Sequence, residues 1–300
     1  MSKRAIFLIF CVLLLLCSPA VSNASEILVI KSADIKPYNE SLEGFRDSCD
    51  CSATEIARSD SWQQDLSKAL AVSRPDAVLA IGVDALKTAQ SVKDIPVIYL
   101  MVPYLPPFAS SQKNISGVSM NISAEKYLDM MADVFPNAKR IGLIYDPENS
   151  GAIVKEALQI ADEKHMEIIA RKAYKPGEVP PIIDNMKNRI DILWMLPDTT
   201  IVNSAVFNYM LLFSFQNEVP VVTFTKKYVE MGALAGLTVV PFDMGAQAGE
   251  LVKKLLKKSS ADSSIRVNAR KAVLTINSKV ARKMRIKIKS DNLKGAEYVQ

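Results

Sequence analysis

The chain is poor in the residues that most catalytic and metal chemistry draws on. It has one histidine, His165, in 300 residues, so imidazole-based nucleophile–base pairs and histidine-rich metal sites have almost nothing to use. Of 4 cysteines, Cys11 and Cys17 fall in the leader. The others form Cys49-Asp50-Cys51 and can pair with each other or stay as thiols. G-x-S-x-G, G-x-G-x-x-G, Walker and H-E-x-x-H patterns are all absent. A carboxylate pair is the one catalytic route left, and the expectation is a protein that is not an enzyme, with no metal and no cofactor. A strong charge of one sign is also missing. The formal net charge is +5, which gives no case for nucleic acid. With 49% hydrophobic and 23% charged residues, disorder and fibrous repeats are excluded.

Long apolar runs are scarce too. Lys3 and Arg4 precede the uncharged run Ala5 to Cys17, and Ser22-Asn23-Ala24 supplies small residues for a cut. This reads as a secretory signal, residues 1–24, cleaved after Ala24. The run is short of the ~20 residues a membrane span needs. Cys17 follows Leu14-Leu15-Leu16, a poor setting for lipid attachment. The expectation is a periplasmic or otherwise exported monomer. The run Ala205 to Phe215 reads as a buried helix, and His165 as a solvated helix end.

What is present is an alternation of aliphatic runs with helical stretches, the pattern of α/β folds with parallel sheets. Candidate strands are Ile27–Ile30, Ala77–Ile81, Val97–Met101, Arg140–Tyr145, Met166–Ala170, Asp191–Leu196, Val219–Phe224 and Leu234–Val240. Ser123 can cap a helix from Ala124 to Phe135, Asn149 or Ser150 can cap the run to Lys164, and Gly245–Lys257 is a further helix. Pro75 to Ala85 leading to Asp94-Ile95-Pro96-Val97 is echoed by Ile190 to Thr200 leading to Glu218-Val219-Pro220-Val221. The economical reading is two Rossmann-like lobes joined by a hinge. The predicted boundaries are 25–118 plus 239–264 for lobe 1, 119–238 plus 265–290 for lobe 2, and a tail at 291–300. Crossings are placed at Asn114–Asn121 and near 232–242. Between Leu251 and Ser290 the sequence is strongly basic, with Asp262 its one acid. This stretch is either a docking face for an anionic partner or a solvated helix face and tail.

In open α/β sheets ligands bind beyond the carboxyl ends of the strands. Helix starts at Asp84-Ala85, Asn149-Ser150 and Thr199-Thr200 offer N–H groups to a carboxylate, and Asp34, Asp84, Asp146 and Asp198 offer charge to an ammonium. A zwitterion suits both. Asp84, Asn149, Asp198 and Thr199 serve equally well as plain helix caps. Tyr38, Tyr104, Tyr145 and Phe224 stand where they can sandwich a flat side chain or merely pack the lobe surface.

The ordered set Ala80-Ile81-Gly82-Val83-Asp84-Ala85, Asp94-Ile95-Pro96-Val97, Asn114-Ile115-Ser116-Gly117-Val118, Phe135 to Tyr145, Leu196-Pro197-Asp198-Thr199-Thr200 and Gly232-Ala233-Leu234-Ala235 resembles the ABC-importer substrate-binding proteins. Their fold is the type I periplasmic binding protein, and the likeness is to the branch with tryptophan and tyrosine binders. The resemblance implies three hinge crossovers, a ligand enclosed by lobe closure, and a separate permease and ATPase in the inner membrane. It carries over Gly82, Asp84, Tyr145, Asn149, Ser150, Asp198, Thr199 and Thr200 as ligand contacts; Ser32, Asp34, Asn121 and Thr225 rest on loop position. The first loop, Asp34-Ile35-Lys36-Pro37-Tyr38, stands where aromatic-amino-acid binders of the branch carry a His-Pro pair. A receptor that signals to a membrane kinase or chemoreceptor would use the same cleft and stays open as the alternative.

Overall fold

A computed structural model of the protein describes residues 24–257, 264–288, 293 and 295–300. The secretory-signal reading falls almost wholly on residues 1–23, outside the described residues. No described helix is long and apolar enough to cross a membrane.

The first sheet has six strands in the order β11-β5-β4-β3-β1-β2: β1 Glu26–Lys31, β2 Ser52–Ile56, β3 Ala77–Ile81, β4 Val97–Leu100, β5 Ile115–Ser119 and β11 Arg266–Asn268. All its pairings are parallel. Alternate residues of one strand enter opposite cores: Ile27, Val29, Leu79 and Ile81 pack on one face, Leu28, Ile30, Val78 and Ala80 on the other. Helices cover both faces, so the central strands are apolar at every position.

The second sheet has seven strands in the order β13-β12-β10-β9-β8-β6-β7: β6 Arg140–Tyr145, β7 Glu167–Lys172, β8 Ile192–Trp194, β9 Val221–Thr223, β10 Ala235–Val239, β12 Ala272–Asn277 and β13 Glu297–Val299. It is parallel except for β10 against β12, which run antiparallel. The helix Ser204–Asn217 buries Val206, Phe207, Met210 and Phe213. It leaves Leu212 half exposed, so it is covered on one side rather than buried all round.

The chain passes between the sheets after β5, after β10 and after β11. The segment 115–119, read as part of a crossing, is a strand, and the first crossing follows it. Two further boundaries move. Residues 266–268 pair with β5 in the first sheet rather than joining lobe 2, and residues 297–299 pair with β12 rather than forming a tail. Both strands are exposed, so no apolar run announces them.

Lobe 1 is braced by two closely packed helices, Lys36–Cys49 and Pro241–Lys257. Glycines set the approach: a Cβ on Gly245 would stand 1.8 Å from the Ser41 carbonyl oxygen, and one on Gly44 would stand 1.9 Å from that of Phe242. At the end of the first helix Cys49 and Cys51 are joined by a disulfide. Asp50 between them takes the left-handed conformation, φ 52°, and meets Lys253 of the second helix at 2.5 Å.

Candidate functional site between the lobes

A cavity of about 350 Å³ is lined by residues of both lobes and of the first crossing. Lobe 1 contributes Pro103 and Tyr104 from the loop after β4, and the first crossing contributes Met120, Asn121 and Ile122. Lobe 2 contributes Tyr127, Phe224 and Tyr228, with Thr238 and Val239 from β10. Size and lining suit a small ligand with a flat apolar part.

Local chemistry fixes the aromatic wall. Thr225 caps the short helix Lys226–Glu230, its Oγ1 accepting from the Tyr228 N–H at 3.4 Å, and Thr238 Oγ1 accepts the Lys226 N–H at 2.8 Å. Tyr228 then lies between Phe207 and Phe224, with ring centroids 4.6 and 5.5 Å away. Burial, and secondarily the neighbouring Tyr104 phenol, push the Tyr228 hydroxyl above its ordinary pKa. Tyr104 of lobe 1 and Tyr228 of lobe 2 both line the cavity. Tyr127 is buried, its ring tilted on Trp194 at 4.9 Å, and burial drives its hydroxyl well above the usual range.

Among the predicted contacts only Asn121 and Thr225 line this cavity. The others fall in two polar groups, one per lobe. In lobe 1, Gly82 caps the helix Val83–Thr88 at φ 91°, and Ser32 Oγ accepts the Ala85 N–H at 2.9 Å. A Cβ on Gly82 would stand 2.6 Å from Ser32 Oγ and 2.8 Å from the Tyr38 hydroxyl. Asp84 faces Arg58 at 3.5 Å with both side chains half exposed. Asp34 stands apart on the surface. Its carboxylate accepts from Asn39 at 2.8 Å and meets Lys31 at 3.4 Å, and these partners hold its pKa below the carboxylate norm.

In lobe 2 the loops after β6 and β8 are tied together. Asp198 is 1% exposed; one oxygen accepts the Asp146 N–H at 2.8 Å, the other the Thr200 and Ile201 N–H groups at 3.0 and 3.2 Å. Asp146 caps the helix Pro147–Ala161 and accepts from Thr200 Oγ1 at 2.7 Å. Asn149 Nδ2 donates to Thr200 Oγ1 at 2.8 Å. Ser150 is buried in the first turn of that helix, Tyr145 is half-buried at the end of β6, and Thr199 is exposed.

Several expectations are therefore corrected. Asp198 is a buried latch between two loops, its oxygens met by three backbone donors, rather than a side chain standing open on the loop surface. Asn149 and Ser150 are not caps; Asp146 is. Thr199 and Thr200 do not start a helix, since the next one begins at Ser204 behind the cap Asn203. Asp84 is not a cap either, Gly82 holding that place. By contrast Ser123 does cap Ala124–Val134, and His165 ends its helix exposed to solvent.

A family model described as ABC transporter substrate binding protein matches residues 44–300. The chain belongs to that family. A tyrosine-binding protein of Clostridioides difficile is 26% identical over 241 residues, covering 77% of this chain and 69% of the relative. Among solved structures, a ligand-free, open substrate-binding protein with adhesive properties from Clostridium difficile aligns with a TM-score of 0.69 at 20% identity, over 92% of this chain and 99% of that one. A Streptococcus pneumonia ABC domain in complex with L-Trp aligns at 0.59 and 21%, over 92% and 100%. These likenesses establish two parallel-sheet lobes of the type I periplasmic-binding fold.

The cavity and the lobe 1 polar group also include residues the sequence did not single out: Lys227 and Tyr228 line the cavity, and Arg58 faces Asp84. Tyr228 and Lys227 lie on the short helix Lys226–Glu230, which has no counterpart among the predicted elements. Arg58, whose guanidinium donates to the Ser32 carbonyl and lies over Trp62 at 5.8 Å, stands in a stretch with no periodic signal. Among the described residues no cluster of three His, Cys, Asp or Glu side chains could hold a metal.

Proposed function

We propose that the protein is the exported solute-binding component of an ABC importer. It captures an amino acid with a flat apolar side chain between its lobes and delivers it to a membrane permease driven by a separate ATPase. The observation that carries this reading is the cavity walled by Tyr104 from one lobe and Phe224 and Tyr228 from the other. Edge-on and offset aromatic contacts favour a ring between them, while Asn121, Thr225 and Lys227 offer polar partners at the margin. The tyrosine-binding relative supports the amino-acid class. A ligand touching both lobes binds the shut form better and shifts the population toward it.

The test is a thermal-shift screen of amino acids, nucleosides and sugars, followed by calorimetry. Tyrosine, tryptophan or phenylalanine is expected to raise the melting temperature by mass action, and Tyr228→Ala to weaken binding about tenfold or more, ~1.4 kcal/mol. A flat response to every amino acid, or an unchanged affinity in the variant, overturns the reading.

A further inference from the structure

Part of the basic segment is engaged in structure, and its densest engagement is at the third crossing. Arg270 lies there, between β11 and β12. Its Nε is 3.1 and 3.0 Å from the two Asp243 oxygens, and its Nη1 is 2.8 and 3.0 Å from those of Glu250. Its backbone N–H donates to Gln247 Oε1 at 3.0 Å, and Gln247 Nε2 donates to the Asn268 carbonyl at 3.2 Å. Asp243, Gln247 and Glu250 are spaced four and three apart, so one face of the lobe 1 helix Pro241–Lys257 receives the whole crossing. Asp243 is 4% exposed and also meets Lys271 at 3.2 Å. A carboxylate so deeply placed depends on its cations, and a guanidinium fork fixes their geometry as an ammonium cannot.

The other crossings join the same point. The Ala269 N–H donates to the Ser119 carbonyl at 3.0 Å, at the start of the first crossing, and the Val240 N–H, in the second, donates to the Lys271 carbonyl at 3.4 Å. From lobe 2, Lys126 Nζ donates to the Arg270 carbonyl.

We propose that Arg270 is the positioning residue of the hinge: held by Asp243 and Glu250, it pins the third crossing to lobe 1, so that the lobes turn on the lobe 2 side of this clamp. The clamp narrows the set of lobe orientations that a ligand must select from, which lowers the entropy lost on closure. Its ligand consequence rests on the proposed function; its mechanical core rests on the fold alone.

Hydrogen exchange by mass spectrometry on the ligand-free, full-length protein tests it. Arg270→Met is expected to speed exchange at the Val240, Ala269 and Arg270 amides about tenfold or more, a loss of ~1.4 kcal/mol of local protection, while the central strands of both lobes keep wild-type rates. Arg270→Lys should restore part of the protection. Glu250→Ala, which leaves the buried Asp243–Arg270 pair intact, should give a smaller increase at the same amides and decides the question should Arg270→Met not fold. Wild-type exchange at those amides in the folded variants, or an increase spread evenly over both lobes, overturns the proposal. Neither result depends on finding a ligand, so a failed ligand screen leaves this test standing.

Discussion

Asp198 shows how a polar residue in a ligand-side loop can serve the scaffold. Three backbone N–H groups converge on its carboxylate, and an asparagine would turn an amide N–H₂ toward donors. Asp198→Asn is expected to lower stability by about 1–3 kcal/mol, read by urea denaturation without ligand. Intact stability with lost affinity would return it to the ligand-contact role. Asp191 makes a pH-dependent prediction. Burial pushes its carboxyl up, but the Arg140 guanidinium at 2.7 Å and the Lys139 and Arg140 N–H groups outweigh this and hold its pKa below the ordinary value. Its stabilisation is therefore present above the unfolded carboxyl's pKa, about 3.9, and is lost as pH falls through the lower folded value. The stability difference between wild type and Asp191→Asn should shrink between pH 7 and pH 2; a constant difference would contradict the linkage. Residue roles like these are hardly legible in a sequence. The matching motif marked Asp198 and loop position marked Asn121, yet the oxygens of Asp198 meet backbone donors and Asn121 lines the cavity. Only the direction of neighbouring N–H groups separates the two.

Elements were far more legible. The strands at Ala77–Ile81 and Arg140–Tyr145 coincide with their aliphatic runs, because strands covered on both faces tolerate few polar side chains. Ser52–Ile56, Arg266–Asn268 and Glu297–Val299 escaped notice because they lie at or near sheet edges with mostly exposed side chains, where burial imposes no pattern. The aromatic wall was half legible: Tyr104 and Phe224 end strands or loops, whereas Tyr127 sits on a helix face and Tyr228 on a short helix that no apolar run announces. The helix pair of lobe 1 carries its own signature in Gly44, Gly245 and Gly249. Gly245→Ala puts a methyl into the Ser41 carbonyl and must separate the helices, so a destabilisation of about 1–3 kcal/mol is expected. Calorimetric melting checks it, and an unchanged melting temperature would show that the helices part without cost.

At the scale of the whole molecule, the internal echo in the sequence corresponds to two sheets of like construction. The chain crosses between them three times, and the third crossing gathers the charged side chains of the lobe 1 helix. The lobes meet at an aromatic cavity whose walls come from different bodies. Under the proposed function, a ligand that bridges the two walls completes the site, and its capture draws on lobe rotation. Small-angle X-ray scattering of the protein with and without a saturating aromatic amino acid tests this most directly. The account predicts a smaller radius of gyration on saturation, with the shift lost in Tyr228→Ala; tight binding at an unchanged radius would contradict it.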